Sequence, residues 1–132
     1  MNSTFRFLSL LLLTLISATI AFATEPAEVL ARKAVSENAA ASAAAIEELR
    51  ALGPAGLQAL RIQYAEAINT HIANPSAASG EEWQRITAAL DAVAQQRNSY
   101  IAGLYWYTDL DSAKKASKAL GKPILSLRLL GK

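Results

Sequence analysis

Apolar positions along this chain keep two rhythms: three-four spacing over most of its length, and a nearly unbroken apolar run near each end. From about residue 27 to 52, Leu30, Ala34, Ala41, Ala45, Leu49 and Leu52 recur on one helical face, with Val35 and Ile46 beside it. Pro26 suits the first turn, and Glu25 and Glu28 favour the positive end of the helix dipole. Ser36, Asn38 and Ser42 weaken the middle, which places a break near 36–38. Gly53-Pro54 ends the segment, since glycine tolerates a left-handed cap and proline blocks continuation. A second helix runs from about 54 to 73, with the stripe Leu57, Leu60, Tyr64, Ile68 and Ile72, and Asn74-Pro75 stops it.

The third helix carries the clearest seam. Trp83, Ile86, Leu90, Val93, Tyr100 and Leu104 alternate spacings of three and four, interrupted by Arg97. Ser79 to Glu82 matches a capping box, and Glu81 with Arg85 makes an i,i+4 pair on the solvated face. A helical hairpin or three-helix bundle is the natural architecture, with a long antiparallel coiled-coil pair as the alternative. No period of 20–50 residues repeats.

After Trp106 the pattern changes. Thr108 or Asp109 caps a short helix over 109–120, with Leu110, Ala113, Ala116 or Ser117, and Leu120 facing inward. Gly121 closes it, Lys122-Pro123 enforces an extended entry, and 123–130 reads as a buried strand. The expected fold class is therefore mainly α, with a single C-terminal strand. A lone strand leaves its backbone groups unpaired, so either another part of this chain is expected to pair with it or the chain is the front part of a longer protein.

The other apolar run lies at the amino end. Arg6 precedes Phe7 to Ile20, interrupted only by Ser9, Thr14, Ser17 and Thr19, and Ala21-Phe22-Ala23 fits small-x-small cleavage. Residues 1–23 are expected to be a signal peptide, cleaved between Ala23 and Thr24, with a periplasmic or secreted destination. The alternative is an uncleaved anchor, for which the apolar stretch is at the short limit; membrane association is expected only in that case. The remaining chain divides into a helical region over 24–104 and a distinct segment over 105–132.

Composition narrows the chemistry. Alanine and the signal segment inflate the 52% hydrophobic content, so the mature core is thinner than that figure implies. With no cysteine and one histidine, a disulfide and thiol chemistry are excluded for this sequence, and a transition-metal site is not expected. Residues 24–99 hold nine acidic and six basic residues, a balance of −3, whereas 100–132 hold two acidic and six basic, a balance of +4. The asymmetry marks a boundary near 100 and is too weak to imply nucleic-acid binding.

The run Trp106-x-x-Asp109-Leu110-x-x-Ala113-x-x-x-Ser117-x-x-x-Gly121-Lys122-Pro123-Ile124-Leu125 resembles the opening of exported thioredoxin-like domains. Leu104 to Asp109 and Lys122 to Gly131 are similar to a group of secreted thioredoxin-like proteins with a helical amino-terminal region. The resemblance spans about 104–131, roughly a quarter of the chain. It implies a helix feeding a first central strand. The family's Cys-x-x-Cys motif, or a variant of it, comes after that strand, and this sequence reaches Lys132 before the position, so no catalytic residue carries over.

Other candidates have ordinary readings. His71, late in the second helix, is expected to be a solvated or rim histidine, favoured there by the helix dipole. Glu47 and Glu48 diverge by about 100° on a helix, and Glu47 is expected to pair with Arg50. Lys114, Lys115, Lys118 and Lys122 are expected to form a solvated face. Tyr100, Tyr105, Trp106 and Tyr107 are expected chiefly to bind the helical arm to the domain after it, and otherwise to form a partner surface. If the segment is extended, Tyr105 and Tyr107 share one side and Trp106 takes the other.

The expected function is that of an exported, non-catalytic helical interaction module joined to the start of a thioredoxin-like domain. It needs no cofactor and meets a protein partner or another copy of itself through the seam of Trp83, Ile86, Leu90, Val93, Tyr100 and Leu104, with Tyr105, Trp106 and Tyr107 beside it. The alternatives are a thiol–disulfide protein whose active portion lies beyond Lys132, and a complete small helical adaptor.

Overall fold

A computed structural model describes residues 25–76 and 80–127. They are mainly helical. The first predicted helix is two: α1 (Ala27–Ala34) and α2 (Ala39–Ala51). The break falls where serine and asparagine compete with the helical backbone. Asn38 caps α2 by accepting from the Ala41 N–H at 3.0 Å, and the Ser42 hydroxyl donates to the Ala34 carbonyl at 2.6 Å. Orphan groups on both sides of the break thus find partners, and α2 folds back along α1.

The second predicted helix is also divided. Gly53, at φ +66°, turns the chain into α3 (Pro54–Gln63), and a turn at Tyr64 separates it from α4 (Ala65–Ala73). Gly56 is required by packing: a Cβ there would lie 2.0 Å from the Leu49 carbonyl oxygen. Its bare backbone lets α3 approach α2 closely.

α5 (Glu81–Ala94) lies against α2 and α3, and α1 packs on the same pair. Leu30, Leu49, Leu60, Ile86, Leu90 and Val93 are fully buried between them. The expected stripes supply most of this core, but Leu52 is 36% exposed, and Ile72 and Leu104 are each 55% exposed. Ile68, one turn earlier on the same face of α4, is 4% exposed, so the stripe holds past the Tyr64 turn and is lost only in the last turn of α4.

Leu104 departs because the third helix stops sooner than the seam suggests. Gln95 takes a left-handed conformation at φ +57° after Ala94, and Asn98 does so again at φ +55°. The Asp91 carboxylate makes this double turn possible by accepting from the N–H groups of Asn98 at 3.0 Å and Ser99 at 2.8 Å. A single-turn helix, α6 (Ser99–Ala102), comes next. At the other end of α5, Gly80 occupies the N-cap with no side-chain bond, so the helix starts one residue later than the capping-box reading places it; Ser79 lies outside the described residues.

Beyond Gly103 the chain has no regular secondary structure to Tyr107 and enters α7 (Leu110–Leu120). The caps are those expected. Asp109 accepts from the Asp111 and Ser112 N–H groups, and Gly121 closes the helix at φ +63°. The packing is as expected only in part: Ala113, Ala116 and Ser117 are half-buried, but no residue of α7 is fully buried, and Leu110 and Leu120 are 59% and 62% exposed.

The expected strand over 123–130 is corrected in the same region. Residues 122–127 form no ladder, and there is no strand among the described residues; 128–130 lie outside them. Proline and aliphatic residues favour extended backbone, but a strand exists only with a partner, and none of the described elements provides one. The signal-peptide positions, Ala23 and Thr24 included, also lie outside the described residues, among which no helix is long and apolar enough to cross a membrane.

Candidate functional site

Arginines fasten the fold to its carboxy-terminal part. Arg50, in the last turn of α2, donates through Nη1 to the Val93 carbonyl at 2.8 Å and the Trp106 carbonyl at 3.3 Å. Its Nη2 reaches the Thr108 hydroxyl at 3.4 Å. The guanidinium also lies over the Tyr105 ring, 4.7 Å from its centroid. The expected Glu47–Arg50 pair is therefore replaced: fixed carbonyls near the negative end of α5 compete successfully with a mobile exposed carboxylate. Arg61 acts similarly on α6, donating to the carbonyls of Ser99 at 3.2 Å and Tyr100 at 3.0 Å. Arg85 donates to the Val35 carbonyl at 3.2 Å and pairs with Glu37 at 3.5 Å and, as expected but more distantly, Glu81 at 3.9 Å.

The aromatic segment is held at several points. The Trp106 N–H donates to the Ala94 carbonyl at 3.0 Å, and its indole Nε1–H donates to Gln96. Tyr105 donates its hydroxyl to the Arg50 carbonyl at 3.0 Å. The Tyr105 and Tyr107 rings meet edge to face at 5.0 Å, so the two side chains share one side. Burial pushes the Tyr105 phenol above its ordinary pKa; Arg50 opposes this and Tyr107 adds to it.

The same segment forms one wall of an apolar groove of about 270 Å³, closed on the other side by α7 and the chain after it. Leu104, Trp106, Leu120 and Ile124 contribute its aliphatic and aromatic surface. The adjacent Leu125 is 77% exposed, and Leu127 is also largely exposed. Aliphatic side chains at consecutive positions on an extended backbone point to both of its faces, a pattern suited to burial on both sides.

The remaining candidates separate. Ile86, Leu90 and Val93 are buried inside the bundle, so the seam is used for internal packing. Trp83 and Tyr100 sit at its margin in a cluster with His71. The His71 ring stacks on Trp83 with centroids 4.2 Å apart, and Tyr100 meets both edge-on. His71 is thus a rim residue; its Nδ1 is buried without a hydrogen-bond partner among the described residues. Glu47 and Glu48 are exposed and do not converge on a common site, and the four lysines of the C-terminal segment are solvated. No group of three His, Cys, Asp or Glu side chains arranged to hold a metal occurs among the described residues.

The Arg50 clamp and the Asp91 cap had no place in a reading by periodicity. Arg50 stands just before the Gly53-Pro54 stop, where a cation favours a helix end, but its partners lie more than forty positions away. No family model, curated protein or solved structure matches the chain.

Proposed function

We propose that this is an exported, non-catalytic interaction module: a helical bundle that presents the opening helix and first extended segment of a thioredoxin-like fold to further protein. The observation that carries the reading is the apolar exposure of α7 and the segment after it. The bundle has a closed core, whereas α7 has proper caps and no buried side chain. A capped amphipathic helix leading into unpaired, doubly apolar extended backbone is suited to joining a sheet and a second layer. Burial of the seam within the bundle moves the proposed contact from Ile86, Leu90 and Val93 to the groove between Leu104–Tyr107 and α7. Export through residues 1–23 is part of the same proposal.

Reading the genomic frame past the Lys132 codon tests the thioredoxin-like component. Continuation into alternating strands and helices supports it. A cysteine pair directly after the first strand would favour the thiol–disulfide alternative for the whole protein, and a stop codon would overturn the thioredoxin-like component.

A further inference from the structure

We propose that a second recess, between the α2–α3 corner and α7, binds a small carboxylate carried on a ring. The recess is about 400 Å³ and has no acidic residue in its lining. Two cations line it, Arg50 and Lys115, and neither forms an ion pair among the described residues. Three further lining residues have suitable chemistry. Tyr107 supplies a hydroxyl, and Tyr105 and Tyr107 supply aromatic surface, while the Ser112 side chain is held by Asp109. Gly53 lies at the positive end of α3, whose first turn has no acidic residue.

Arg50 is the anchor. Its bonds to Val93, Trp106 and Thr108 and its stacking on Tyr105 fix the guanidinium before any ligand arrives. Those bonds still leave guanidinium N–H donors over. A preordered donor reduces the entropic cost of capture. A planar fork matches a carboxylate, and a tyrosine face accepts the ring that carries it. The net charge favours a monoanion. Asp109, which caps α7, interacts electrostatically with Lys115 and offsets part of its charge. The site is distinct from the apolar groove in chemistry, and the proposal does not depend on the thioredoxin-like reading.

The test is a ¹H–¹⁵N titration of the labelled chain with benzoate and glucuronate, with benzyl alcohol as the uncharged control and inorganic phosphate as the dianion. Saturable shifts at Gly53, Tyr107, Ser112 and Lys115 are expected with the two carboxylates and absent with benzyl alcohol. Lys115→Gln is expected to weaken binding about tenfold, as removal of one charge-assisted contact predicts. Lys114→Gln, on the same helix but outside the recess, should leave binding unchanged. Arg50 is spared because it also holds the fold. Absence of saturable shifts, equal response to Lys114→Gln and Lys115→Gln, or tighter binding of phosphate than of either carboxylate would each overturn the proposal.

Discussion

Arg50 and Tyr105 hold each other twice: the phenol donates to the Arg50 carbonyl at 3.0 Å, and the guanidinium lies 4.7 Å over the ring. This reciprocal contact joins the end of α2 to the aromatic segment 55 positions later. Because the guanidinium also caps the end of α5, Arg50→Met should do more than trim a surface charge. Hydrogen bonds from charged groups contribute about 1.5–3 kcal/mol, and the thermal midpoint should fall accordingly. Near-ultraviolet circular dichroism should lose the Tyr105 and Trp106 signature. Arg50→Lys should rescue little of this, because one ammonium cannot reproduce the planar fork. Full stability in either variant would show that the clamp is not structural.

Gly56→Ala should destabilise the bundle by about 1–3 kcal/mol, as overpacking does. Its added methyl would meet the Leu49 backbone at 2.0 Å, and backbone cannot turn aside as a side chain can. Gly80→Ala meets nothing within 4 Å and costs only the N-cap preference of α5, so it is the comparison for a glycine substitution without a clash. Chemical denaturation of both variants checks the difference; equal midpoints would contradict the close α2–α3 approach.

The α7 cap should be acid-sensitive. Hydrogen bonds from Ser112, then from the Asp111 N–H, hold the Asp109 carboxyl below its ordinary value of 3.8, with Lys115 helping. A depressed carboxyl contributes stability that is full above its unfolded pKa and is lost as pH falls through the lower folded value. Amide shifts of residues 110–113 should therefore hold steady through neutral and mildly acidic pH and move only below the usual aspartate range. Asp109→Asn, which keeps a capping oxygen, should remove that transition. Persistence of the same transition in Asp109→Asn would assign it to another group.

Export predicts a defined amino terminus. Mass spectrometry of the protein recovered outside the cytoplasm should find a chain starting at Thr24. Ala23→Leu, which breaks the small-x-small rule, should retain the precursor at the membrane. A recovered exported chain that still begins at Met1 would contradict cleavage.

Local chemistry made much of the bundle legible. Gly53-Pro54, Asn74-Pro75, Asp109 and Gly121 mark real ends because each acts within a turn of where it stands. Leu30, Leu49, Leu60 and Leu90 were readable as core from spacing alone. The double left-handed turn at Gln95 and Asn98 was not, because neither residue is glycine and the stabilising carboxylate, Asp91, belongs to the preceding helix. Periodicity carried the seam through that turn to Leu104, where the chain no longer is helical. The C-terminal strand is absent from the described residues for a related reason. Side-chain pattern specifies a preference for extension, whereas pairing depends on backbone elsewhere. The groove and the recess depend on how α7 sits beside residues from distant parts of the chain, which no short-range pattern contains.

If α7 and the segment after it form a protein-binding surface while the bundle is closed, the two regions should respond differently to surface charge. Sedimentation velocity across a concentration series reads this, comparing the chain with a Leu120→Glu, Leu125→Asp double variant. The unsubstituted chain should self-associate as concentration rises, since an uncovered apolar surface seeks its own kind when no other partner is present. The variant should be a monomer, with an unchanged thermal midpoint because neither residue is in the core. A concentration-independent monomer for the unsubstituted chain, with amides of 110–127 as protected from exchange as those of α5, would contradict a binding surface there.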